Sequence, residues 1–227
     1  ESVVFDNAYP EGLPTVPVRT ALFTGQHTLP FRPWQPLTGE DITAAEILSD
    51  HNFTTALITD TYHLAKAGYN FHRGFNVFRW IRGQEGDSYE SGPRRANLHG
   101  FVKEEMIGHR IVSVLDQYLR NTAGFESEED WFAGQTFSES MRWLEGSHKM
   151  TPFFLWVDSF NPHETWDTPE PFAGMYEPQR GFEGRYIPMP MGPDMSWVKP
   201  GDLDHVHALY NAAITETDYC FGNVPFF

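Results

Sequence analysis

The chain has 227 residues, of which 40% are hydrophobic and 15% aromatic, enough for a folded core and most simply for one domain. The formal net charge of −15, from 16 basic and 31 acidic residues, argues against nucleic acid or an anionic membrane as a partner. The single cysteine, Cys220, excludes a disulfide framework and a cysteine-based zinc site. No apolar run is long enough to span a membrane. The lack of disulfides favours a cytoplasmic location without deciding it.

The segment from Pro14 to Gly25 predicts a short helix with a hydroxyl group at its start. Pro17 has the φ angle of a first helical turn, and Gly25 supplies a stop. Thr15 would then lie at the positive end of the helix, beside free backbone N–H groups that favour an anion. Arg19, one turn along the same face, could reach a nucleophile or an oxyanion. A capping threonine on a surface helix is the alternative that these residues leave open.

Apolar patterns along the chain predict an α/β fold with a mostly parallel central sheet flanked by helices. The predicted strands lie at residues 2–5, 54–60 and 153–158, and the last two are expected to be buried on both faces. Helices are predicted after a capping box at Thr38–Asp41, over 103–121, from Ser127 to Leu144, and from a capping Asp202. The last helix would face inward through Val206, Leu209, Ala213 and Cys220. Residues 76–100 and 161–200 are predicted to be long irregular insertions.

Polar residues follow both of the predicted buried strands. Asp60 ends the first strand and Asp158 ends the second. Ligands of parallel α/β sheets bind beyond the carboxyl ends of the strands, so both following loops should face the same side as Thr15. The two aspartates could equally cap the turns that follow them.

Four segments, in order and over nearly the whole chain, resemble the sulfatase family of the alkaline phosphatase superfamily. The first, Phe5-Asp6-Asn7-Ala8-Tyr9 followed by Thr15-x-Pro17-x-Arg19 and Thr24-Gly25, resembles the sulfatase signature. Tyr62-His63-Leu64 is similar to the Lys-Trp-His-Leu segment of the family, and Asn161-Pro162-His163 to its strand followed by Pro-His. The stretch 210–222 is similar to the helix before the second metal motif of the family.

The resemblance implies that Thr15 attacks sulfur or phosphorus while bound to a divalent metal. Arg19 would hold the nucleophile, while His63 and His163 would contact the ester oxygens or protonate the leaving group. The implied catalytic residues are therefore Thr15, Arg19, His63 and His163, and the implied substrate-binding residues are Thr61, Tyr62 and Asn161.

Departures from the family pattern narrow the implied chemistry. Sulfatases have Cys or Ser at the nucleophile position, which is oxidised to formylglycine, and Thr15 is not expected to give that aldehyde. Thr61 replaces the family's lysine and removes one positive contact to a sulfate. Both changes favour a phosphodiester, phosphonate or phosphoryl-transfer substrate.

The metal ligands implied by the resemblance, other than Thr15, would lie outside residues 1–227. The expected cofactor is a divalent ion, Ca, Mn or Zn, in the full-length protein, and the 227 residues alone are expected to bind no catalytic metal tightly and to be inactive.

The primary hypothesis is a metal-dependent hydrolase of sulfate or phosphate esters. The alternatives are a phosphoryl-group transferase with a covalent Thr15 intermediate and a catalytically inactive sulfatase-like binding module. The expected partner is a small anionic ester, with no nucleic acid and no membrane span, and the oligomeric state stays open.

Overall fold

The fold contains one three-stranded parallel sheet in the computed structural model, which describes residues 3–102, 104, 107, 110–147, 149–177 and 200–224. The strands are β1 (Thr54–Thr59), β2 (Val77–Trp80) and β3 (Phe153–Asp158). Their order is β2–β1–β3, so β1 is flanked by a strand on each side. The predicted α/β class is confirmed, and so are the predicted strands at 54–60 and 153–158.

Six α-helices accompany the sheet within the described ranges. None of these helices is both long and apolar enough to cross a membrane. They are α1 (Thr15–Thr24), α2 (Ala44–Asp50), α3 (Tyr62–Ala65), α4 (Arg110–Asn121), α5 (Phe132–Ser147) and α6 (Pro200–Gly222).

The chain divides into two compact units. The first consists of Glu1–Leu57, His63–Arg79 and His148–Trp156. The second consists of Ile58–Tyr62, Trp80–Ser147 and Val157–Phe227. Each strand begins with residues of the first unit and ends with residues of the second, so the polar residues directly after the strands belong to the second unit.

Each unit has its own hydrophobic core. In the first unit the ring of Phe23 meets the edge of Phe71 at 5.3 Å and the ring of Trp156 at 4.4 Å. The buried members of this core are Val16, Phe23, Leu37, Leu57, Leu64 and Phe71. In the second unit α5 packs on α6. The buried core of that unit comprises Phe101, Val102, Val112, Leu115, Tyr118, Leu119 and Phe132.

Two predictions for the first 50 residues are wrong. Val3, Val4 and Phe5 are not in a strand and are 76–82% exposed, because no described strand pairs with them; Ser2 lies outside the described residues. The capping box is formed by Thr43 and Glu46, immediately before and within α2, rather than at Thr38–Asp41.

The central part of the chain also differs from the prediction. The segment 76–100 contains β2, whose four residues are too few to give a readable period, and a 3₁₀ helix at Leu98–Gly100. Ser127 caps a short 3₁₀ helix, and α5 begins only at Phe132. Of the helix predicted over 103–121, α4 accounts for residues from Arg110 onward, and most of 103–109 lies outside the described residues.

The structure also corrects the predicted burial of β3 and the predicted inward face of α6. The residues of β3 that precede its final aspartate are half-buried and not buried on both faces, because β3 is an edge strand. Among the described strands its one neighbour is β1. On α6 the predicted inward positions Val206, Leu209 and Cys220 are only half-buried, and Asp202 lies in the first turn of a helix that starts at Pro200. The buried positions of α6 are Asp202, His205, Ala208, Ala212, Ala213 and Glu216. Residues 178–199 of the predicted insertion at 161–200 lie outside the described part of the chain.

Candidate active site

The predicted nucleophile lies at the start of a helix. Thr15 is half-buried and is the first residue of the ten-residue α1, which ends where Gly25 adopts φ +68° and donates its N–H to the carbonyl of Ala21 at 2.8 Å. The first amides of a helix have no intrahelical acceptor, and Pro17 has no amide to leave unpaired. The N–H groups of Thr15 and Val16 are therefore the donors that α1 offers to an anion at this end.

Arg19 and His63 belong to the same unit as Thr15. Arg19 is half-buried on α1, one turn after Thr15, and interacts with other groups of the protein. His63 lies on α3, where its ring meets the ring of Trp34 edge-on at 4.8 Å. The helices that carry Thr15 and His63 share one core, because the neighbouring side chains Val16 and Leu64 are both members of it.

The two strand-end aspartates link the loops that follow β1 and β3. The hydroxyl of Thr61 donates to Oδ1 of Asp158 at 2.6 Å, and Oδ1 of Asp60 accepts the backbone N–H of Phe160 at 2.6 Å. The backbone N–H of Asp60 also donates to the carbonyl of Asp158 at 3.3 Å. Each aspartate therefore binds the loop after the other strand, in addition to ending its own.

The remaining predicted substrate-binding residues also lie in the second unit. The side-chain amide of Asn161 donates to Oε2 of Glu216 at 3.2 Å. The ring of Tyr62 is 6.4 Å from the ring of Trp80, at the end of β2. Glu216 is absent from the residues predicted from the sequence, because the apolar pattern of α6 draws attention to its hydrophobic positions. The signal available in the sequence is an acid three residues after the predicted inward position Ala213, on the same face of the helix.

His163 is fixed by its neighbours in the chain. Its ring stacks on Phe160 at 4.0 Å, and its Nδ1 lies 2.9 Å from the carbonyl and 2.8 Å from the carboxylate of Glu164. Burial lowers the pKa of His163, but the hydrogen bond and charge of Glu164 outweigh it, so the pKa lies above its usual value. His163 is thereby biased toward the imidazolium, which can hold an anion or give up a proton.

Burial also shifts the carboxylates of the second unit. It raises the pKa of Asp60 from 3.8 to about 7, although the N–H of Phe160 acts in the opposite direction. Burial, with the nearby charges of Asp167 and Asp60, raises the pKa of Glu216 from 4.5 to about 8. Groups that titrate this close to neutrality are typical of functional sites, although buried structural acids share the property.

The described residues do not by themselves fit a divalent metal. Among them, no group of three His, Cys, Asp or Glu side chains is arranged to hold a metal ion. Thr15 could supply at most one ligand, and a divalent ion needs several.

The structure thus divides the predicted residues between the two units. Thr15, Arg19 and His63 lie in the first unit, and Thr61, Tyr62, Asn161 and His163 lie in the second.

Comparison with known proteins agrees with the resemblance seen in the sequence. A sequence model of the sulfatase family matches residues 1–225. The chain belongs to the sulfatase family. No curated protein matches the chain.

Solved structures share the fold of this sulfatase-family chain. The phosphonate monoester hydrolase of Agrobacterium radiobacter matches with a TM-score of 0.61 at 15% identity, over 95% of this chain and 50% of its own. Ps i-CgsB matches with a TM-score of 0.50 at 16% identity, over 92% of this chain and 43% of its own. The chain therefore spans about half the length of the structures it matches, and at these identities the likeness concerns the fold.

Proposed function

We propose that the full-length protein hydrolyses phosphodiesters or phosphonate monoesters in preference to sulfate esters, with Thr15 as the nucleophile. The observation that carries this proposal is the half-buried hydroxyl at the first residue of α1, within a chain of the sulfatase family. Membership of a family of ester hydrolases and a fold shared with a phosphonate monoester hydrolase support it.

In the proposed reaction, Oγ1 of Thr15 loses its proton to solvent and forms a bond to phosphorus, and the bond to the leaving alcohol breaks. The free N–H groups of α1 and the guanidinium of Arg19 stabilise the negative charge on the phosphoryl oxygens. His63, which belongs to the same unit as Thr15 and Arg19, gives a proton to the leaving oxygen. Water then cleaves the Thr15 ester and restores the hydroxyl. A divalent metal held by ligands outside the described residues would lower the pKa of the nucleophile.

The identity of two residues favours phosphorus over sulfur. Threonine at position 15 does not give the formylglycine aldehyde on which sulfatases depend. Thr61 offers a neutral hydroxyl already bonded to Asp158 where the family pattern has lysine.

The test compares three ester classes on the full-length protein. An aryl sulfate, a phosphonate monoester and a phosphodiester are assayed with the wild type, Thr15→Val and Thr15→Ser. Thr15→Val should lose at least about 10³-fold in kcat/KM, whereas Thr15→Ser should retain activity, because only the former lacks a nucleophilic oxygen. Thr24→Val, at the other end of α1, is the matched control. A preference for the aryl sulfate, or full activity in Thr15→Val, would refute the proposal.

The same experiment separates the two alternative functions. Accumulation of phosphorylated Thr15 with a phosphoryl donor, detected by mass spectrometry and followed by transfer to an added alcohol, would indicate a phosphoryl-group transferase. Absence of all three activities, together with an unimpaired biological role in Thr15→Ala, would indicate a binding module.

A further inference from the structure

Three carboxylates of the second unit are buried next to the loops that follow β1 and β3. Asp60 and Asp158 follow or end these strands, and Glu216 lies on α6. The exposed fractions of the three residues are 0%, 9% and 1%. Carboxylates are rarely buried to this extent unless they have partners, because leaving water costs them solvation free energy.

Two of these carboxylates bind side chains for which the family resemblance implies substrate contact. Oδ1 of Asp158 accepts the hydroxyl of Thr61 at 2.6 Å. Oε2 of Glu216 accepts the side-chain amide of Asn161 at 3.2 Å. In both cases the carboxylate fixes the rotamer of a short polar side chain, which leaves that side chain only its remaining hydrogen-bonding atoms for a ligand.

The third carboxylate acts on the backbone. Oδ1 of Asp60 accepts the N–H of Phe160 at 2.6 Å, and the ring of Phe160 stacks on the ring of His163 at 4.0 Å. The imidazole is thus supported on one face by a residue whose backbone is held by Asp60.

We propose that Asp60, Asp158 and Glu216 are positioning residues that hold His163, Thr61 and Asn161, respectively, in the geometry required for ester binding. The inference rests on the proposed function and on the substrate contacts that the family resemblance implies for those three residues. Well-packed apolar side chains would stabilise the fold at least as well as buried acids, so the acids are explained by the directional hydrogen bonds that they make.

The first test is a double-mutant cycle in the full-length protein, with kcat and KM measured for a phosphonate monoester. Asp158→Ala should raise KM about tenfold with little change in kcat, and Asp158→Asn should stay within about threefold of the wild type because its amide oxygen still accepts the Thr61 hydroxyl. Thr61→Val should match Asp158→Ala, and the double variant should be no worse than either. Additive losses, or an Asp158→Asn as impaired as Asp158→Ala, would overturn the inference.

The second test does not measure activity, so its result can be interpreted even if the proposed function is wrong. Amide hydrogen exchange of Phe160 should accelerate at least about tenfold in Asp60→Ala and less than about threefold in Asp60→Asn. The amide of Thr122, which donates to the carbonyl of Tyr118 in the same unit, is the control for general stability. Equal acceleration at both amides, or none at Phe160, would overturn the inference. If Asp60→Ala does not fold, the double-mutant cycle of Asp158 and Thr61 decides whether the inference holds.

Discussion

Replacing Glu216 with glutamine should stabilise the protein, and the gain should depend on pH. Glu216 is 1% exposed, and its Oε1 has no hydrogen-bond partner in the described part of the chain. Glutamine keeps the shape of the side chain and an oxygen that can accept from Asn161, but it carries no charge to be desolvated. The substitution therefore removes the cost of burying an acid while leaving its contact in place.

The size of the gain follows from the pKa of the acid. Burial raises the pKa of Glu216 from 4.5 to about 8, so at pH 7 the folded state holds a proton that the unfolded chain has released. Each pH unit of such a difference is worth about 1.4 kcal/mol, which gives a cost on the order of 3 kcal/mol at pH 7. The cost is absent below pH 4.5, grows as the pH rises and is complete above about pH 8.

Urea unfolding of the 227-residue chain at pH 4.5 and pH 7 measures this difference directly. The free energy of unfolding of Glu216→Gln should exceed that of the wild type by up to about 3 kcal/mol at pH 7 and by nearly nothing at pH 4.5. Glu126→Gln, at an exposed position of the same unit, should change neither value by more than about 0.5 kcal/mol. Destabilisation at pH 7 would show that Glu216 is ionised and favourably paired in the folded protein. An equal gain at both pH values would show that the ionisation of Glu216 does not affect stability.

Four further substitutions test the first unit, each by urea unfolding. Gly74→Ala should cost more than about 3 kcal/mol, because φ is +79° and the new Cβ would lie 2.2 Å from a backbone nitrogen of α2. Gly68→Ala, at φ +84° with nothing within 4 Å, should cost only about 1–2 kcal/mol, and equal losses would contradict the close approach at Gly74. Thr43→Ala should cost about 1 kcal/mol through loss of the capping box, and an unchanged midpoint would show that the cap is not formed. The pKa of Asp41 is lowered to about 2, chiefly by its hydrogen bond from Arg32. Asp41 should therefore contribute about 2 kcal/mol to the free energy of unfolding above pH 4, and this contribution should disappear as the pH falls to 2. A difference in unfolding free energy between Asp41→Asn and the wild type that stays constant over this range would refute the pairing.

The aspartates at the strand ends show which properties can be predicted from the sequence and which cannot. The position of Asp60 and Asp158 after apolar runs can be predicted from the sequence, because an uninterrupted β-branched or aromatic stretch is a local signal. The sequence does not show whether these aspartates form a ligand site or cap a turn, because both interpretations place an acid at the end of a strand. The structure assigns each aspartate to the loop after the other strand, an arrangement that neither interpretation contains.

Helix positions are predicted less well where a polar residue occupies the inner face. The start of α1 at Thr15 and its end at Gly25 follow from residues whose own backbone preferences set them. On α6, by contrast, the apolar stripe indicates Val206 and Leu209 as inner positions, whereas Glu216 is the more deeply buried. A helical period cannot reveal that an acid is buried, because burial of a charge depends on partners supplied from elsewhere in the chain.

The sequence by itself determined the α/β class, two of the three strands, the helix that begins at Thr15 and membership of the sulfatase family. These properties depend on local apolar runs, on proline and glycine, and on ordered short motifs, all of which are present in the chain before it folds. The tertiary structure alone decided the order of the strands, the inner face of α6 and the partners of the buried carboxylates. Thr61 and Asp158 are 97 residues apart and Asp60 and Phe160 are 100 apart, so only folding brings together the groups whose hydrogen bonds make burial of those acids tolerable.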